Sequence, residues 1–102
     1  MLMANESSSV LSAPARLVTE TRLEFRRAAL EYVERAAQDS AQRIYVDLGA
    51  TLEIDASGLG VLVLLQKRAR EKMIATCLLH AGASVRQMLL LTKLDYLFEL
   101  EG

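Results

Sequence analysis

Short apolar, β-branched runs alternate with helical periods along this chain, and that alternation admits few folds. From Thr19 to Gln38 the period is helical. Phe25, Ala29, Tyr32, Val33 and Ala36 recur at helical spacing, while Glu24, Arg27, Glu31, Glu34 and Arg35 occupy much of the remaining surface. Thr21 with Glu24 three residues later fits a capping box, and Thr19 competes as the N-cap. Asp39-Ser40 breaks the period. Arg43-Ile44-Tyr45-Val46-Asp47-Leu48 then reads as a strand, and a central one, because its apolar residues are not confined to one face. After a short loop a second helix is expected from about Gly58 to Lys72, apolar nearly all round in its first two turns. Lys67, Arg68, Arg70 and Lys72 crowd its last turns, where they suit the negative end of the helix dipole. Ile74 to Leu79 is another strand, leaving through His80-Ala81-Gly82, and Ser84 to about Leu91 a third helix with Ser84 or Ala83 near its cap. Tyr96 to Leu100 forms a terminal strand or a short amphipathic turn. The pattern predicts an α/β fold: helices packed on a small mixed, mostly parallel β-sheet.

A chain of 102 residues holds one such domain. Residues 1–13 read as a flexible N-terminus with a short strand near Val10-Leu11, closed by Pro14, and residues 14–102 as the single domain. Composition then excludes whole classes of function. Twelve basic residues against 13 acidic ones give no basic footprint for a nucleic acid, and the absence of Trp argues against a stacking platform. One cysteine and one histidine, Cys77 and His80, cannot build a disulfide framework or a cysteine-based metal cluster, so no metal and no cofactor are expected. The longest apolar run, Val61 to Leu65 with Leu59 just before it, falls far short of the ~18 residues of a membrane span. With no secretory signal in Met1 to Glu6, a cytoplasmic setting without membrane insertion is expected. Cys77 reads as a buried small hydrophobe and His80 as an ordinary loop residue. The basic cluster reads as a solvated helix end, and Met88-Leu89-Leu90-Leu91 as core or interface filler.

The most specific segment is Val46-Asp47-Leu48, then Ile54-Asp55-Ala56-Ser57-Gly58-Leu59-Gly60, then the apolar helix. Ser57 sits where an N-cap is wanted, so its hydroxyl can satisfy an orphan backbone N–H. Gly58 removes bulk beside that hydroxyl, which lets a partner approach the backbone, and Gly60 helps the first turn pack tightly. Leu59 and Val61 anchor the helix start. Asp55 either orients the Ser57 loop, contacts a partner, or caps the turn through an Asx-type bond. Asp47 reads as a strand-end structural residue.

In their order and spacing these segments resemble the STAS domain family, the fold of bacterial anti-sigma factor antagonists. Its hallmark is a strand ending in Asp-Leu, a loop, and an Asp-x-Ser-Gly-Leu-Gly turn opening the next helix. The similarity continues through Ile74–Leu79, Val85 to Leu91 and Leu94 to Phe98. The resemblance implies a non-enzymatic binding module with Asp55, Ala56, Ser57, Gly58 and Leu59 as its partner-binding surface. It further implies phosphorylation of Ser57 by a GHKL-type anti-sigma factor serine kinase, and a PP2C-type phosphatase that resets the module. The same family also supplies non-phosphorylated scaffold subunits of phospholipid-trafficking ABC transporters and of stress-signalling assemblies, which is the alternative. A serine hydrolase is disfavoured, since Asp55 and Leu59 stand where Gly-x-Ser-x-Gly needs glycines. One departure stands out. Family members begin with two strands, whereas Pro14-Ala15-Arg16-Leu17 replaces the usual segment here and leaves space for one short strand. A shortened N-terminal strand region would leave a sheet edge open to self-pairing, so a homodimer stays among the alternatives.

Overall fold

A computed structural model describes residues 10–102. In chain order the elements are β1 (Val10–Ser12), β2 (Arg16–Leu17), α1 (Arg22–Gln38), β3 (Arg43–Asp47) and β4 (Glu53–Ile54). They continue with α2 (Ala56–Glu71), β5 (Ala75–Leu79), α3 (Ala83–Thr92), a 3-10 turn (Asp95–Leu97) and β6 (Glu99–Glu101). The main sheet runs β1-β3-β5-β6, and β2 pairs with β4 in a small second sheet. Every pairing among the described residues is parallel.

Strand β3 is central, as its sequence suggested, but the sheet is not covered equally on its two faces. Register places Leu11, Val46, Leu78 and Leu100 in one row, with Ile44 beside Thr76 on that same face. Ile44, Val46 and Leu78 are buried there with Val33, Leu62, Leu65, Val85 and Leu89 from the helices. The opposite face carries the row Val10, Tyr45, Cys77 and Glu99 and is largely open among the described residues. Across it Arg43 Nε donates to Glu99 Oε1 at 2.7 Å and Arg43 Nη2 to Glu99 Oε2 at 3.2 Å, joining β3 to β6. Helices α1 and α2 pack along each other, and the Tyr32 hydroxyl of α1 serves the backbone of β3 directly. It accepts from Tyr45 N–H at 3.0 Å and donates to Tyr45 C=O at 3.2 Å, as a neighbouring strand would. Burial pushes the Tyr32 phenol above its ordinary acidity range, and the hydrogen bond with Tyr45 pulls the other way.

The N-terminal region differs from the sequence expectation. The strand expected near Val10-Leu11 is present as β1, and Ala13 N–H donates to Asp47 C=O at 3.0 Å, so residues 10–13 are tied into the sheet. Expectations for residues 1–9 lie outside the described residues. A second strand, β2, also exists within Pro14-Ala15-Arg16-Leu17, where space for only one strand in the region was expected. It was hard to see because it is two residues long and is held by a distant partner. Leu52 N–H donates to Ala15 C=O at 2.8 Å, Thr51 Oγ1 donates to Pro14 C=O at 2.8 Å, and Arg16 meets Glu53 at 2.9 Å.

Helix α1 keeps the expected inner face of Phe25, Ala29, Tyr32, Val33 and Ala36. Its capping box is absent. The Thr21 hydroxyl points backwards, donating to Arg16 C=O at 2.7 Å and accepting from Val18 N–H at 3.0 Å. Helix α3 is capped by Gly82 rather than by Ser84 or Ala83. All three helices end in the same way. The N–H groups of Ala41, Ile74 and Leu94 reach back to the carbonyls of Ala36, Ala69 and Leu89 at 3.0, 2.9 and 3.0 Å. Those of Ser40, Met73 and Lys93, at φ of 58°, 63° and 59°, close the shorter turn inside. These are Schellman endings with an apolar residue just beyond each left-handed position.

Candidate functional site

The start of α2 gathers the distinctive residues. Asp55, in extended conformation, is the N-cap, and its Oδ1 accepts from Gly58 N–H at 2.9 Å. The helix therefore begins at Ala56, two residues before the expected Gly58, and Ser57 is its second residue rather than its cap. Asp55 Oδ2 accepts from Thr19 N–H at 3.0 Å and lies 3.1 Å from Thr19 Oγ1. One carboxylate thus fastens the start of α2 to the segment between β2 and α1. The Gly58 N–H, with the Thr19 donors adding to it, holds the Asp55 carboxyl below the usual carboxylate range against an opposing push from partial desolvation. Of the roles left open for Asp55, the cap and the orientation of the loop are both seen.

The Ser57 hydroxyl, freed from capping, sits 3.0 Å from Thr19 Oγ1 and 3.4 Å from Arg22 Nη1. Thr19 has one hydroxyl proton and two oxygen neighbours, and a carboxylate can only accept. When Thr19 donates to Asp55, Ser57 donates to Thr19, and the three side chains form a chain ending on a carboxylate. Arg22 and Thr19 were missed as site residues: Thr19 was read only as a competing helix cap. They lie 35 and 38 positions from Ser57 in sequence, and no local pattern links them to it.

The glycines of the motif do other work than expected. Gly58 is buried, and a Cβ there would stand 1.9 Å from Leu17 C=O, so the glycine lets α2 lie against β2 rather than letting a partner approach. Leu59 is also buried. Gly60 does not tighten the first turn: it is exposed, and a Cβ on it would meet nothing within 4 Å. Of the five residues expected to form a partner-binding surface, Gly58 and Leu59 therefore face inward. The outward surface is Ala56, half-buried Ser57 and, one turn on from Ser57, bare Gly60, beside Asp55.

The other singled-out residues lie apart from this corner. Asp47 Oδ1 accepts from Gly49 N–H at 2.8 Å, a strand-end turn as expected. Cys77 is buried, at 3% exposure, yet on the open face of the sheet and outside the core cluster; burial and the nearby Glu101 push its thiol up. His80 is not among the hydrogen-bond partners of Ser57, which are Thr19 and Arg22. Lys72 pairs with Glu34 at 3.6 Å. Among Met88 to Leu91, Leu89 is buried while Leu90 and Leu91 are exposed. Among the described residues no group of three or more His, Cys, Asp or Glu side chains could hold a metal ion. No helix there is long and apolar enough to cross a membrane.

The family model of the STAS domain matches residues 3–101. No curated protein matches the chain in sequence. Among solved structures, the chain is similar to an anti-sigma-factor antagonist (STAS) domain protein from Planctomyces limnophilus, at 21% identity and a TM-score of 0.78, covering 91% of this chain and 80% of that one. A sulfate transporter family protein from Wolinella succinogenes has a TM-score of 0.75 at 9% identity, covering 91% and 75%. The anti-sigma factor antagonist SpoIIAA in its unphosphorylated form has a TM-score of 0.62 at 14% identity, covering 89% and 76%. At these identities the likeness is one of fold, and one fold carries more than one function.

Proposed function

The chain belongs to the STAS domain family, and from that premise we propose that it is an anti-sigma factor antagonist switched off by phosphorylation of Ser57. The unphosphorylated module engages an anti-sigma factor that is also a GHKL-type serine kinase, which releases the sigma factor. The Ser57 oxygen then attacks the γ-phosphorus of the kinase's ATP, its proton passes to a base, and the bond to ADP breaks. A PP2C-type phosphatase hydrolyses the ester and resets the module. The kinase step consumes ATP, which puts the cycle in the cytoplasm.

One observation carries this reading: a half-buried hydroxyl, held by Thr19 and Arg22 on the first turn of α2, beside exposed Ala56 and bare Gly60. Such a hydroxyl is fixed in direction and sterically open. A phosphate there adds about −1.5 to −2 charges at neutral pH, and the N-terminal end of a helix tolerates them without unfolding. A partner surface packed on Ala56 and Gly60 does not, because a dianion must then be desolvated.

Incubation with ATP and the cognate kinase should phosphorylate the wild type and leave Ser57→Ala unmodified by mass spectrometry. Ser57→Asp should bind the kinase at least about tenfold more weakly, with an unchanged circular dichroism spectrum. Modification of Ser57→Ala at the wild-type rate would refute the site. A second reading, a non-phosphorylated scaffold subunit, draws on the fold shared with the sulfate transporter family protein. Equal affinity of wild type and Ser57→Asp for the partner would favour it.

A further inference from the structure

We propose that Arg22 is the receptor, within the same chain, for a phosphate carried by Ser57: its guanidinium closes on the phosphate and ties the start of α1 to the start of α2. The proposal rests on the reading of Ser57 as a phosphorylation site.

Arg22 is the first residue of α1, half-buried, with Nη1 3.4 Å from Ser57 Oγ. That contact is long. Charge-assisted bonds from a guanidinium run at about 2.7–2.9 Å, and a neutral hydroxyl offers this cation little. Among the described residues Arg22 forms no ion pair. Asp55 spends its two oxygens on Gly58 and Thr19, and Glu53 is held by Arg16. The guanidinium is therefore already aimed at the serine oxygen and lacks an anion.

Esterification of Ser57 supplies that anion at the point of aim. Phosphate oxygens extend beyond Oγ, into the reach of a planar fork of donors that matches them two at a time. The Thr19 hydroxyl turns its single proton from Asp55 to the phosphate, while Thr19 N–H keeps its own bond to Asp55. The first-turn N–H groups of α2 add a favourable field. Asp55, the N-cap two residues back, opposes the charge. Arg16, the other cation of this corner, is neutralised by Glu53. Arg22 is thus the unpaired positive group facing the phosphate, and it makes the modified form a distinct, fastened state rather than a serine with a dangling charge.

The test uses the full chain with phosphoserine placed at position 57 during translation, so no kinase is needed. Phosphorus NMR across pH reads the second ionisation of the phosphate. In Arg22→Gln its midpoint should rise by about half a unit relative to the wild type, and added salt should shrink the difference. In the phosphorylated wild type the Arg22 guanidinium NMR signal should shift with the same midpoint as the phosphorus. Equal midpoints in the two proteins, or an Arg22 signal indifferent to phosphate ionisation, would overturn the proposal. The second readout needs no variant and stands even where Arg22→Gln folds poorly. Loss of this coupling leaves the kinase assay untouched, and a failed kinase assay leaves this result untouched, so the two readings fail separately.

Discussion

The two ends of α2 are built in opposite ways. Its start is assembled from distant segments: Asp55 caps Gly58 and grips Thr19, Gly58 lies against Leu17, and Ser57 meets Thr19 and Arg22. Its end needs nothing but its own backbone. Met73 turns left-handed, Ile74 closes the ring on Ala69, and the Met73 side chain stands 88% exposed. The same backbone ending recurs after α1 and α3 with Ser40 and Lys93 in the turning position. Where backbone alone satisfies a helix end, the residue type is nearly free. Where side chains from elsewhere satisfy it, each residue is constrained, and that is where a hydroxyl can be held still enough to act as a switch.

Substitutions that break this contrast should rank accordingly. Gly58→Ala should have the largest effect, a loss of about 3 kcal/mol or more in urea denaturation, because its Cβ meets a backbone carbonyl that has no alternative place. Stability equal to wild type would mean that α2 does not depend on its approach to β2. Asp55→Ala should come next, by removing the cap and the grip on Thr19 together. Its cost should also depend on pH in a defined direction. The folded-state pKa of Asp55 is depressed, so the stability it contributes is complete above the unfolded value of about 3.9 and is lost as pH falls through the folded one. The gap between wild type and Asp55→Ala should then be level from neutral pH to about 5 and close in stronger acid; a gap indifferent to pH would remove the carboxylate's charge from the account.

Gly60→Ala should go the other way. Nothing blocks a Cβ there, so the helix should gain about 1 kcal/mol, read as a higher melting temperature. If the bare turn is a docking surface, the same variant should bind the kinase less tightly even though it is more stable. The smallest effect is expected at the far end of the helix. Met73→Gly relieves about 1–2 kcal/mol of left-handed strain and adds back about 0.5–1 of chain entropy, a net gain of about 0.5 kcal/mol. A marked loss at Met73 would show that this end, too, depends on its side chain.

The inner face of α1 was legible because Phe25, Ala29, Tyr32, Val33 and Ala36 obey a local period that burial then enforces. The central place of β3 was legible from its apolar run, although the open face beneath Tyr45 and Cys77 was not. Ser57 was legible as a special serine, yet its role as a cap was misplaced by two residues. Asp and Ser both serve as N-caps, and only the hydrogen bond from Gly58 to Asp55 decides between them. Thr21 and Glu24 spelled a capping box that does not form, because the threonine oxygen turns back to accept from Val18 N–H instead of from the first turn of the helix. Strand β2 escaped notice since a two-residue strand has no period to detect.

What the sequence determined by itself was the alternation of strands and helices, the buried stripes, and the segment in which a serine opens an apolar helix. Those features depend on neighbours a few positions apart, and the chain's own stereochemistry sets them. The tertiary structure alone decided which glycine is obligatory and which is merely bare. It also decided that Thr19 and Arg22 reach Ser57 at all. These outcomes turn on contacts across 35 or more positions, where a hydrogen bond of about 3 Å exists only once the whole sheet and both helices are in place.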